Sequence, residues 1–126
     1  MKPLRVLLVE DDPSWQQAIG VILSTASEVP FEVIGVADNI EDALVLAQAE
    51  KPDLCLLDFN INGPSNGLKV GFSLLEQGYT PEQLVMVTTM SASELGEHPF
   101  GYVPKNQVAT HLISTLTERL VLMGSL

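Results

Sequence analysis

Hydrophobic residues in this chain fall into short, nearly unbroken runs, separated by segments in which they recur every three or four positions. Leu4 to Val9 is the first run, and it ends abruptly at Glu10-Asp11-Asp12-Pro13. A run of this length without polar alternation predicts a strand covered on both faces. Asp12 before Pro13 has the form of an N-cap and first helical residue, opening a helix in which Trp15, Ile19, Ile22 and Leu23 recur at helical spacing. Phe31 to Ala37 predicts a second strand, and Asp38 or Asn39 caps a helix carrying Ile40, Ala43, Leu44 and Ala47 that closes near Lys51-Pro52. Leu54 to Leu57 predicts the third strand, ending at Asp58.

Phe59 to Gly67 contains the Asn, Gly, Pro and Ser residues of an exposed loop, followed by a helix through Leu68, Phe72 and Leu75 that stops at Gly78. Leu84 to Val87 predicts the fourth strand, ending at Thr88-Thr89. Only Ser91 to His98 is then available before Phe100 to Val103, the fifth strand. The last helix runs from Val108 to about Met123, with Val108, Leu112, Leu116 and Leu120 on one stripe, Ile113 and Met123 beside it, and Val121 and Leu122 extending the inward face. Five apolar strands alternating with helices predict an α/β fold with an open, doubly wound parallel sheet. In such sheets functional residues gather at the carboxyl ends of the strands.

The chain has 126 residues, 46% of them hydrophobic, which suits one domain spanning 1–126 and leaves no room for two ordinary ones. Its formal charge is −10, with 6 Lys and Arg against 16 Asp and Glu, so it has little with which to neutralise phosphates and is not expected to bind nucleic acid directly. A lone cysteine, Cys55, sits in an apolar run and excludes an internal disulfide. No apolar stretch is long enough to insert in a membrane, and the short N-terminal run turns acidic too soon for a signal peptide, so the expected compartment is the cytoplasm.

Glu10 and Asp11 end the first strand, Asp58 the third and Thr88 the fourth, while Lys105 follows the fifth. Three carboxylates converging in one cleft repel one another unless a cation joins them, and oxygen-only donors suit Mg2+. Lys105 supplies a mobile positive charge and Thr88 a hydroxyl donor. Together these groups match what phosphoryl transfer to a carboxylate requires.

With these residues in place, the sequence resembles the receiver domain of two-component response regulators over essentially its whole length. The matching stretches are VLLVEDDP at 6–13, PDLCLLDFN at 52–60, VMVTT at 85–89 and GYVPKN at 101–106. The resemblance implies a flavodoxin-like sheet in the order 2-1-3-4-5, and a histidine kinase or phosphotransfer protein as phosphoryl donor. It implies Asp58 as phosphoacceptor, Glu10 and Asp11 as the acidic pair that holds Mg2+ together with Asp58, and Asn60 as the donor of a backbone carbonyl to the metal. Asp12 then becomes a helix cap, Thr88 the switch hydroxyl, Lys105 the phosphate-contacting lysine, and Tyr102 either the aromatic rotamer switch or a packed tyrosine.

Departures from that pattern are equally specific. The loop after Asp58 reads NINGPSNG, and Asn106 follows Lys105 where the family normally has a proline across a cis bond. A cis bond before a non-proline residue costs about 2.5–4 kcal/mol, so either an altered lysine loop or a strained one is expected. Only 17 positions separate Thr88 from Lys105, a few short of the family's usual spacing, which predicts a shortened fourth helix. After Glu82 the remaining 44 residues carry only Glu94, Glu97, Lys105, Glu118 and Arg119 as charges. An apolar surface there either pairs with a second copy or a fused effector domain, or covers core that the short helix leaves open. Trp15 reads as packing, His98 as a loop residue and His111 as a helix residue. The alternative function is a phosphorylation-independent pseudo-receiver serving as an interaction or dimerisation module. A small metal-dependent phosphatase or flavin-binding protein on this fold is disfavoured by the lack of a separate general acid and of a phosphate-cradling glycine loop.

Overall fold

A computed structural model describes residues 2–126. Five parallel strands, β1 (Leu4–Val9), β2 (Phe31–Ala37), β3 (Leu54–Leu57), β4 (Leu84–Thr88) and β5 (Gly101–Pro104), form one sheet in the order β2-β1-β3-β4-β5. Five helices connect and follow them: α1 (Pro13–Ser24), α2 (Ile40–Glu50), α3 (Asn66–Glu76), α4 (Ala92–Leu95) and α5 (Val108–Leu122). The flavodoxin-like order implied by the sequence is the one observed.

Side chains alternate across a strand, and both sets are apolar here because both faces are covered. Leu7, Val9, Cys55, Leu57, Leu84 and Met86 pack with α2, α3 and Phe100, whereas Val6, Leu8, Leu54, Leu56, Val85, Val87 and Val103 pack with α1 and α5. The α5 stripe of Val108, Leu112, Leu116 and Leu120 is buried as its spacing predicts. Val121 and Leu122 do not extend it: they are 57% and 66% exposed, because the two residues after Leu120 rotate away from the sheet on a 3.6-residue period.

Capping follows the sequence closely. The Asp12 side chain accepts from Ser14 N–H at 2.8 Å with Pro13 inside the first turn, and Asn39 is the residue that caps α2, accepting from Asp42 N–H at 2.9 Å. The inward face of α3 differs from the expected one. Phe72 is 46% exposed, and the buried positions are Gly67, Val70, Gly71 and Leu74, with Leu68 and Leu75 at the margins. Two glycines let the helix approach the strand ends closely. A β-carbon on Gly67 would fall 1.7 Å from the Asp58 carbonyl oxygen, and one on Gly71 would fall 2.7 Å from the Phe100 ring.

The fourth helix is a single turn of four residues, with a capping box between Ser91 and Glu94. The altered lysine loop also takes a definite form: there are no cis peptide bonds among the described residues, and Lys105–Gln107 is a 3-10 turn that runs into α5. No helix among the described residues is long and apolar enough to cross a membrane.

Candidate functional site

Main-chain hydrogen bonding places the acids. Beyond the last residue of β1 the ladder continues, with Glu10 N–H donating to Ala37 O at 2.9 Å, and beyond β3 with Asp58 N–H donating to Val9 O at 3.0 Å. Both carboxylates are therefore held on the carboxyl edge of adjacent central strands, at fixed backbone positions. Glu10 is 1% exposed and Asp58 8%, while Asp11 is exposed. One carboxylate oxygen from each of Glu10, Asp11 and Asp58 lies within 4.8 Å of the others.

Lys105, 5% exposed, enters this cluster from the end of β5. Its ammonium donates to Asp58 Oδ2 at 3.0 Å and lies 2.5 Å from Glu10 Oε1. That Glu10 oxygen is buried yet has no hydrogen bond of acceptable direction, so the close approach of Lys105 is a charge contact without a satisfied acceptor. The other Glu10 oxygen accepts from Asp12 N–H at 3.0 Å, and Asp11 Oδ2 accepts from Asn62 N–H at 3.0 Å. The loop after Asp58 is thus tied to Asp11 by one main-chain hydrogen bond, and Asp11 stays exposed.

Burial pushes the Glu10 carboxyl up to about 7, against the close Lys105 contact and the Asp12 hydrogen bond that favour its anion, and the neighbouring Asp58 charge adds to the rise. For Lys105, burial acts downward, but its close polar and charge contacts with Glu10 and Asp58 outweigh it, and the net direction is upward. An ammonium held this way stays charged at neutral pH.

Thr88, at the end of β4, is fully buried. Its Oγ1 accepts from Met90 N–H at 3.3 Å, which leaves its own hydrogen to donate. Half-buried Tyr102 on β5 donates its hydroxyl hydrogen to Met90 O at 2.6 Å, so one residue connects Thr88 and Tyr102 through its two backbone groups. Asn60 is exposed, two residues beyond Asp58, and its Oδ1 accepts from Ser65 N–H at 3.3 Å.

Glu10, Asp11, Asp58 and Lys105 thus lie together, and two further contacts that the hydrophobic spacing does not single out join them. Gln16 Nε2 donates to the Glu10 carbonyl at 2.8 Å, and the ring of Trp15 lies beside Lys105, with Nζ 5.0 Å from its centroid. The available signal was position: both residues lie in the first turns of the helix that opens at the acidic pair. Cys55 is buried core, as expected, and burial pushes its thiol up to about 12. His98 lies in the loop before β5, its ring stacked on Phe100 and its Nδ1 accepting from Phe100 N–H at 3.1 Å, and His111 is an exposed α5 residue. A surface concavity of about 590 Å3 between Lys51, Asp53, Tyr79 and Gln83 lies at the amino ends of the strands, away from the acids.

An open parallel sheet with a clustered acidic trio and a buried lysine at its carboxyl edge defines a class of α/β domain that can bind a hard cation beside an anion. Residues 6–116 match the family described as the response regulator receiver domain. The nitrate/nitrite response regulator protein NarL of Escherichia coli K12 is 36% identical over 121 residues, covering 93% of this chain and 55% of that protein. A protein-glutamate methylesterase/protein-glutamine glutaminase of Anaeromyxobacter dehalogenans is 34% identical over 92 residues, covering 73% of this chain and 25% of that protein. Among solved structures, the signal receiver domain of NarL from Mycobacterium tuberculosis superposes with a TM-score of 0.79 at 22% identity, covering 94% of this chain and 96% of that one. The response regulator domain of Thermotoga maritima CheB gives 0.74 at 20% identity, covering 95% and 98%. The chain belongs to the response regulator receiver domain family. It spans between a quarter and about half the length of these two curated relatives.

Proposed function

We propose that residues 1–126 act as a single receiver domain that takes a phosphoryl group onto Asp58 in a Mg2+-dependent reaction. The observation that supports this best is the convergence of the Glu10, Asp11 and Asp58 carboxylates with Lys105 bonded to Asp58. An Asp58 oxygen attacks the phosphorus of a phosphohistidine on a histidine kinase or phosphotransfer protein. The P–N bond breaks, its electron pair stays on the imidazole, and an acyl phosphate forms. Water attacking phosphorus later returns the carboxylate and inorganic phosphate. Catalysis by this chain is limited to making and losing its own mark.

Three carboxylate oxygen donors, among them that of buried Glu10, one of whose oxygens lacks a hydrogen bond, fit a hard divalent cation. Glu10, Asp11, Asp58 and the Asn60 carbonyl would hold Mg2+, which supplies charge neutralisation at the phosphoryl oxygens. Lys105 and the Thr88 hydroxyl bind phosphoryl oxygens, and Met90 passes the resulting movement of Thr88 to Tyr102. The exposed Val121 and Leu122 at the end of α5 are where a second copy or a fused effector domain would pack. The proposed compartment is the cytoplasm, which suits a single reduced cysteine.

Intact-mass spectrometry after incubation with Mg2+ and acetyl phosphate tests the reading. One phosphoryl increment on the wild type, absent from Asp58→Asn and from a chelated sample, is the expected result. An unchanged mass, together with an NMR spectrum that does not respond to beryllofluoride, would instead leave a phosphorylation-independent interaction module.

A further inference from the structure

Trp15 is the chain's single tryptophan, in the first turn of α1 and half-buried against the apolar layer of that face. Its ring centroid lies 5.0 Å from Lys105 Nζ. The ammonium therefore has three neighbours of opposite or complementary charge: Glu10 Oε1, Asp58 Oδ2 and the indole face. A four-carbon stem gives lysine many rotamers, so each neighbour that fixes the head reduces the freedom left to lose on reaction.

These neighbours are not equivalent once a cation arrives. Glu10 and Asp58 belong to the acidic trio, so their oxygens are the ones a bound cation draws upon. The indole face is uncharged, is not a ligand for a hard cation, and attracts an ammonium more strongly the less water surrounds it. The backbone after Lys105 gives little lateral support to its head, because Asn106 and Gln107 are exposed residues of a 3-10 turn.

We infer that Trp15 is a positioning residue, whose ring face keeps the Lys105 ammonium beside Asp58 through a cation–π contact when the carboxylates engage a cation. The contact stands on the geometry alone, whereas its kinetic consequence rests on the phosphoacceptor reading of Asp58.

Phosphorylation by acetyl phosphate in Mg2+ is measured for the wild type, Trp15→Leu and Trp15→Phe, with thermal melts reporting folding. Trp15→Leu should slow phosphorylation about three- to tenfold, and Trp15→Phe should restore most of the rate because phenylalanine keeps a ring face. Equal rates for the Leu and Phe variants, whether slowed or unchanged, would overturn the inference, since packing volume alone would then account for Trp15. A second measurement needs neither phosphorylation nor a Trp15 variant. Lys105→Met should shift the emission of the single tryptophan, whereas Lys51→Met at the far end of the sheet should leave it unchanged. If the wild type takes no phosphoryl group, the phosphoacceptor reading fails and the emission result decides the contact: a shift specific to Lys105→Met sustains it, and no shift removes it.

Discussion

Asp11 differs from the other two acids because it is exposed and has no cationic neighbour in the cluster. Lys105 is shared between Glu10 and Asp58, leaving Asp11 to add like charge within 4.8 Å. Asp11→Asn retains an oxygen for the Asn62 N–H and removes only the charge, so the metal-free protein should gain about 0.5–1 kcal/mol, a rise of roughly 2–4 °C in Tm. Mg2+ should raise the Tm of the wild type by binding the folded state, and much less that of Asp11→Asn. A fall in metal-free Tm on this substitution would mean that the Asp11 charge is compensated, against the reading of the cluster. The acids themselves were legible in the sequence because each ends an apolar run. Trp15 was not, because an aromatic at helical spacing fits core packing equally well, and only the fold places it against Lys105.

Cys55 and Tyr79 give the molecule an alkaline limit. Burial raises the thiol from 9.0 to about 12, and burial followed by the Cys55 charge raises the Tyr79 phenol from 10.0 to about 12. Both groups are neutral when protonated, so the folded state holds these protons more tightly than the unfolded chain. Their contribution is complete below the unfolded values and is lost as pH rises from 9 toward 12. Lys105, whose folded value is also raised, acts in the same direction. Urea midpoints should fall across this window, and Cys55→Val should flatten the fall. At neutral pH the thiol should resist alkylation until the protein unfolds.

Among the elements, α3 departs most from its expected register, and its glycines explain why. Hydrophobic spacing alone selected Leu68, Phe72 and Leu75, since a glycine contributes nothing to an apolar pattern. Yet the absence of a side chain lets Gly67 and Gly71 face inward, turning the exposed Phe72 edge outward. Three Gly→Ala substitutions separate space from propensity. Gly67→Ala places a methyl into the backbone carbonyl of Asp58 and should cost about 3 kcal/mol or more. Gly71→Ala meets the Phe100 ring, a side chain able to yield, and should cost about 1–3 kcal/mol. Gly20, in α1, has open space at its β-carbon, so Gly20→Ala should stabilise by about 0.5–1 kcal/mol. Urea unfolding of the three variants checks the order, and a mild effect at Gly67 would contradict the close approach.

At the scale of the whole molecule, the legible part was the alternation of strands and helices and the edge on which chemistry collects. The sheet's two apolar layers require no knowledge of pairing, because the central strands β1, β3 and β4 are apolar and largely buried on both faces. Side-chain relays were less legible, since Thr88, Met90 and Tyr102 meet only after β4 and β5 pair in register, with Met86 opposite Tyr102. That relay joins the buried site to a segment whose only helix is one turn long and capped by Ser91 and Glu94. A single turn makes few internal bonds and depends on its surroundings, so this is where a small displacement of Thr88 meets least resistance. Tyr102→Phe removes the bond to the Met90 carbonyl and leaves the acids and Lys105 untouched. It should therefore change the phosphorylation rate less than twofold while speeding amide hydrogen exchange across residues 90–98, with the beryllofluoride-induced shifts in that segment reduced. A large loss of phosphorylation in this variant would place Tyr102 inside the reacting site, and unchanged exchange would remove it from the path between the site and the surface.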